Sequence, residues 1–561
     1  MARPELRRSL PALAGALLLV AAIVAGWSED ARAAKRTVCT ITVNSPDEKQ
    51  VLRQRLPEDQ YQFVELVERG RPDWLASACR QGVRCDLLVI SGHFDSGTEF
   101  YSDRLGVRES LPVAEMERAS CSDSCPGLFS QLKEVYLFGC NTLNAEAITS
   151  TSPEVVRSLV RAGHPQAEAE RLARSLDQRH GESSHDRMRR IFKDVPVIYG
   201  FSSLAPLGAT AGPLLDRYLK SVPVAEVGSG RANPKLLSHF AASSMTVTSG
   251  LRESDPQASY RREVCQFVDD RLSPAQKLGF LHGLLRGETA EVRMFLERIE
   301  SLFGSLGESE RQTPSFAAAL GEIARDHAAR DRYLRFAEDA DLARTRARMI
   351  RLAGTLGWLS AADQRAELVR MVDDLIARRA VGAPEVDLIC SLNDDHALEP
   401  ESRRLKPTPL QADNVGNAAA LACLGSADAR ARVLRALTSR DEEEVQLAQV
   451  YLGHRPMTDV DELRVVASGI THMAGFGAQV RALDTLARHR LSDRQSLNEL
   501  ARLVPAAGSV DVQRAIAAVF IRADDQAIAK PEVARVLSQY RLKSPDGSDI
   551  IDILIRRLRG S

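Results

Sequence analysis

The chain has 561 residues, 44% hydrophobic and 27% charged, with a formal net charge of −1. That is ordinary globular composition, long enough for two or three domains that each bury a core. The near-zero balance gives no basic excess for a nucleic-acid or anionic-membrane partner, and the many arginines are interleaved with acids as on solvated helix faces.

Residues 1–33 read as a targeting segment. Arg3, Arg7 and Arg8 precede the apolar run "LPALAGALLLVAAIVAG", and "ARA" at 31–33 is a small-x-small pattern suited to signal peptidase. The competing reading is an uncleaved anchor, since a run of about 17 residues is at the short end of what spans a bilayer. No later apolar run is long enough to cross, so the mature chain is expected in an exported compartment, periplasmic or secreted. Nine cysteines are an odd number for such a compartment and leave at least one thiol unpaired within the chain. Cys121 with Cys125, and Cys79 with Cys85, are read as local disulfides, although sequence does not fix pairing. Setting Cys140 aside as a free thiol leaves an even eight.

Residues 34–222 alternate strand and helix. "TVCTITV" (37–43), "YQFVELV" (61–67), "DLLVI" (86–90), "VYLF" (135–138) and "VPVIY" (195–199) are short apolar, β-branched-rich strands. Helices are expected at 47–55, 74–81, from Ser152–Pro153, and near 212–219. Ser152 offers an N-cap oxygen, and Pro153 has no N–H to lose at the first helical position. Near-continuous apolar strands between helices predict an α/β domain whose mostly parallel sheet is covered on both faces. Residues 223–253 read as a linker.

From about residue 254 the strand signal stops and the pattern is helical. The expected blocks are a helical domain at 254–383, a polar, turn-rich loop at 384–414, and helical repeats at 415–561. "VQLAQVYLGHRP", "VRALDTLARHRL" and "VQRAIAAVFIRA" recur at intervals of roughly 30–35 residues, which suits stacked helix pairs loosely like HEAT repeats. An irregular helical bundle is the alternative.

In a parallel α/β sheet, ligands and chemistry sit at the C-terminal strand ends. "LLVISGHF" delivers His93 to one such end and "VYLFGCNT" delivers Cys140 to another. If the two strands lie side by side, an imidazole and a thiol emerge at one edge. A nearby His raises the thiolate fraction of a cysteine and later protonates a leaving amine. Each residue also has a plainer reading, Cys140 as a small buried hydrophobe or half of a structural disulfide, and His93 as a structural imidazole. Asp95 could orient His93, or could simply serve a turn. His180 and His185 in "RHGESSHDR" lack a metal-site pattern. No P-loop, GxGxxG or GxSxG motif occurs.

A strand ending in His, followed about 47 residues later by one ending in Gly-Cys, resembles the caspase-like cysteine peptidases, a group that includes CHAT and gingipain-type enzymes. "GCNT" is similar to the Cys-x-Thr of CHAT-type sequences. "VPVIYGFSSLAPLGATAGPLLDRYL" (195–219) resembles the strand, loop and helix that close their substrate pocket. The resemblance covers about a third of the chain. It implies a thiol endopeptidase with His93 and Cys140 as the dyad and Gly92, Phe94, Gly139, Tyr199, Phe201 and Ser202 around the oxyanion and substrate pocket. No metal or organic cofactor is implied; the partners are a protein or peptide substrate and a possible protein on the helical repeats. Two features depart from the family: Phe94 stands where Gly usually follows the His, and the "QACxG" signature is absent. The alternative they leave open is an inactive caspase-like module joined to a protein-binding helical scaffold.

Overall fold

The structure is a computed structural model, and it describes residues 35–66, 75–95, 97–103, 109–122, 126–146, 152–161, 163–180, 183–340, 342–378, 380–457, 459–473 and 475–560. Residues 1–33, read above as a targeting segment, lie outside these residues. The chain divides into two compact units, Met1–Leu281 with Glu297–Arg311, and His282–Leu296 with Gln312–Ser561.

The first unit is built on a six-stranded sheet. Its strands are β1 (Arg36–Thr42), β2 (Tyr61–Glu65), β3 (Leu87–Ser91), β7 (Glu134–Phe138), β8 (Val197–Phe201) and β9 (Met245–Thr248). The order is β2-β1-β3-β7-β8-β9, and every pairing is parallel except that of β9 with β8. Successive side chains on a strand point to opposite faces, so an all-apolar strand feeds two cores. Leu88 and Ile90 of β3, with Val135 and Leu137 of β7, pack into one core together with Met116, Met188 and Ile191. Leu87, Val89, Tyr136 and Phe138 pack into the other with Leu52, Leu215 and Tyr218. Helices Val113–Cys121 and Ser184–Ile191 therefore cover one face, and Asp47–Arg55 and Gly208–Ser221 the other. A second, small antiparallel sheet of β4 (His93–Phe94), β5 (Glu99–Tyr101) and β6 (Ser110–Pro112) follows β3.

Three sequence expectations are corrected here. Residues 223–253 are not a linker, because β9 pairs along β8 and helix Pro234–His239 packs beside it. β9 is four half-buried residues, "MTVT", in Ser-rich sequence, too short for a periodic signal. The α/β unit also extends past 254, since Cys121–Cys265 ties helix Ala258–Val268 to Val113–Cys121, and Arg298 grips the buried Glu117 through both carboxylate oxygens. The local disulfides are not formed either: Cys85 pairs with Cys39, on β1, and Cys121 with Cys265.

The second unit is made of helices. Residues 384–414 are not a loop but carry helices Ala383–Leu392, Glu399–Ser402 and Pro409–Asp413. Pro384, Pro400 and Pro409 lie in the first turns of these helices, where the missing N–H costs nothing. Beyond them the helices form two rows. Val415–Cys423, Glu442–His454, Phe476–Ala487, Val510–Arg522 and Ile550–Gly560 pack in succession, and Ala427–Ala436, Val460–Thr471 and Arg494–Leu503 form the companion row. Ion pairs of Arg430 with Glu462, Arg464 with Asp493, and Arg481 with Glu442 link neighbours within each row. Among the described residues no helix is long and apolar enough to cross a membrane.

Candidate functional site

β3 and β7 are adjacent and end level, with Ser91 in register with Phe138. The chains then leave the sheet as Gly92-His93-Phe94 and Gly139-Cys140-Asn141. These exits are in contact. Gly92 N–H donates to Phe138 O at 3.1 Å, and a Cβ on Gly139 would fall 2.9 Å from Phe94 Cβ and 3.0 Å from Gly92 O. Only glycine lets the Cys140 segment lie this close to the His93 segment.

Cys140 is partly exposed and is the free cysteine among the described residues. It sits at the start of a sharp turn in which Asn141 takes a left-handed backbone, φ 57°. That conformation costs a non-glycine residue on the order of 1 kcal/mol, and Asn bears it better than most. The surroundings hold it in place. Asn141 N–H donates to Ser203 O, Leu143 N–H to Phe201 O, and Phe201 N–H to Thr142 Oγ1. A Cβ on Gly200 would strike Thr142 Oγ1 at 2.7 Å, so the turn is pressed against β8. From the loop after β8, Ala205 N–H donates to Cys140 Sγ at 3.3 Å. A stiff, strained turn that presents a thiol to a backbone N–H is the kind of place where proteins store strain for function.

His93 opens β4, paired with Tyr101 of β5, and its ring lies 5.4 Å from the Tyr101 ring. Its buried Nε2 is 3.2 Å from Asp103 Oδ2, off hydrogen-bond alignment, so this contact is a charge proximity that strengthens if the imidazole is protonated. Asp103 was not singled out in the sequence; only the β4–β5 hairpin brings it back to the ring. Asp95 does the plainer job, accepting backbone N–H groups from Gly97, Thr98 and Glu99. Partial burial opposes its ionisation, but the hydrogen bonds led by that from Thr98 outweigh this and lower its pKa.

The remaining expected residues separate. Phe94 is buried and packs on Phe100 with ring centroids 4.7 Å apart, and it is not among the residues with positive φ. Its backbone therefore needs no glycine. Tyr199 and Phe201 are not pocket residues: they point into the core, where Tyr199 stacks on Tyr136 and Phe201 meets Phe138 and Phe240. Tyr199 Oη is already engaged by Asn233 N–H. Ser202 alone of the three is exposed, and three residues further on the backbone N–H of Ala205 meets the thiol. His185 bridges Asp186 and Thr248 Oγ1, joining helix Ser184–Ile191 to β9. Among the described residues no group of three His, Cys, Asp or Glu side chains is placed to hold a metal ion.

One further carboxyl lies at the strand ends. Beyond the exits of β1 and β3, where the strand order turns back, Glu48 is only 2% exposed and its Oε2 has no hydrogen-bond partner. Burial pushes its pKa up to about 7, against the pull of its own backbone N–H and the Ser91 hydroxyl.

Comparison of the chain with protein-family models, with curated proteins and with solved structures finds no match.

Proposed function

We propose that the first unit is a caspase-like thiol hydrolase, an endopeptidase whose dyad is His93 and Cys140. The observation that carries this reading is the pairing of a free, partly exposed Cys140 on a strained turn with a His93 that leaves the neighbouring strand at the same level. With Nε2 turned toward Asp103, Nδ1 is the nitrogen left to take the Cys140 proton. The thiolate then attacks a peptide carbonyl carbon, and an S–C bond forms. Backbone N–H groups beside Gly139–Cys140 and at Ala205 are the available oxyanion donors. As the C–N bond breaks, His93 returns its proton to the leaving amine. Water, deprotonated by His93, attacks the thioester and restores the thiol. The ordinary backbone of Phe94 supports activity, because the substitution costs no strained angle.

The disulfides Cys39–Cys85, Cys121–Cys265 and Cys390–Cys423 among the described residues fit an oxidising compartment and support export. The two-row packing of the second unit supports HEAT-like repeats that recruit a protein partner.

The test is covalent labelling of the full chain by a peptide electrophile, with stoichiometry read by mass spectrometry. One label per chain is expected, absent in Cys140→Ala and at least about a hundredfold slower in His93→Ala. Labelling that ignores His93, or spreads over other thiols, would leave the inactive scaffold as the function.

A further inference from the structure

The loop that touches the thiol carries two large apolar side chains turned to solvent. Leu204 is 74% exposed and Leu207 68% exposed, and they flank Ala205, whose N–H points at Cys140 Sγ. The loop is fastened. Ser203 O receives Asn141 N–H, Ser203 N–H donates to Ser244 Oγ, and the two Ser hydroxyls are 2.7 Å apart. Downstream, Leu207 O caps the next helix by accepting from Thr210 and Ala211 N–H. Both leucines are thus held exposed on a fastened backbone.

Ala205 N–H reaches Cys140 Sγ, so the loop that carries these two side chains borders the thiol through its backbone. Asp47, which lies against Gly208, is already engaged by the Ser45 hydroxyl at 2.7 Å. Leu204 and Leu207 thus put exposed apolar surface on the loop that reaches the thiol. Resting on the thiol-hydrolase reading, we propose that Leu204 and Leu207 contact the substrate residue whose carbonyl is attacked, and that the substrates are peptides with a large aliphatic side chain there.

The experiment uses the full-length chain and tripeptide chloromethyl ketones that differ only in the residue bearing the ketone: Leu, Asp or Arg. Each rate of Cys140 alkylation is divided by the rate with iodoacetamide on the same variant, which corrects for thiol reactivity. The Leu reagent is expected to react about tenfold faster than the Asp and Arg reagents, a factor typical of apolar pockets. The double variant Leu204→Ser, Leu207→Ser is expected to remove about tenfold from the Leu ratio. Leu204→Asp is expected to raise the Arg reagent relative to the Leu reagent. Equal ratios for the three reagents, or a Leu ratio untouched by the double variant, overturn the proposal while leaving a His93-dependent dyad standing. Alkylation by iodoacetamide that is the same in wild type and His93→Ala overturns the hydrolase reading, and this inference with it.

Discussion

Asp103 Oδ2 stands 3.2 Å from Nε2 of His93, although ten residues and a β-hairpin separate them in the chain. Under the proposed mechanism the carboxylate positions the ring, so Asp103→Asn should lower kcat by about tenfold and leave KM nearly unchanged. Steady-state kinetics on the best peptide from the chloromethyl ketone series checks this. An equal loss in Asp95→Asn would show instead that the whole hairpin, rather than the carboxylate, sets the rate.

The turn at Asn141 makes a two-sided prediction. Asn141→Gly relieves the left-handed backbone and should be neutral to slightly stabilising in the folded state, by less than about 1 kcal/mol. Asn141→Val adds a β-branched side chain at the same φ and should destabilise by about 1–2 kcal/mol. Urea midpoints of the two variants, together with Cys140 labelling rates, separate strain from chemistry.

Glu48 gives a pH dependence with a fixed sign. Its carboxyl keeps a proton up to about 7, whereas an unperturbed one loses it near 4.5. Between those values the folded chain binds more protons than the unfolded chain, so stability falls as pH rises from about 4.5 to 7 and levels off above. The loss is on the order of 3 kcal/mol. Glu48→Gln should flatten the slope and raise the urea midpoint at pH 8 more than at pH 5.

Gly139 is a fourth lever. A methyl group there meets Phe94 Cβ, Gly92 O and the Phe100 ring, all within 3.1 Å. Gly139→Ala should therefore cost about 1–3 kcal/mol by overpacking and slow Cys140 labelling by pushing the two strand exits apart. A variant that kept wild-type stability and rate would mean the exits can move freely.

The disulfides offer a fifth check. Cys121–Cys265 closes a long stretch of chain, and its removal by Cys121→Ser with Cys265→Ser should cost about 2–4 kcal/mol. Peptide mapping without reductant should find this pair and Cys39–Cys85, with Cys140 alkylated by reagent.

The central strands were legible because each is apolar on both faces, which only a covered sheet explains. The strand ends carrying His93 and Cys140 followed from the same pattern. What was not legible depends on short or distant partners. β4, β5 and β6 have two or three residues each, too few for alternation to register, and they bring Asp103 to the ring. Cys39 and Cys85 meet because β1 and β3 are neighbours, a fact of strand order rather than spacing. Tyr199 and Phe201 were misplaced for a readable reason: two residues apart on a strand, they share a face, and that face is filled by Tyr136, Phe138 and Phe240. The exposed leucines at 204 and 207 followed a run of serines and looked like ordinary loop sequence.

β9 comes from downstream of everything else in the sheet, and Ser244, just ahead of it, pins the loop beside Cys140. During synthesis the surroundings of Cys140 therefore stay incomplete until Thr248 has emerged, well after His93 and Cys140 are made. A nascent or truncated chain stopping near residue 222 would present β8 as an open edge and hold its thiol without Ser244's anchor.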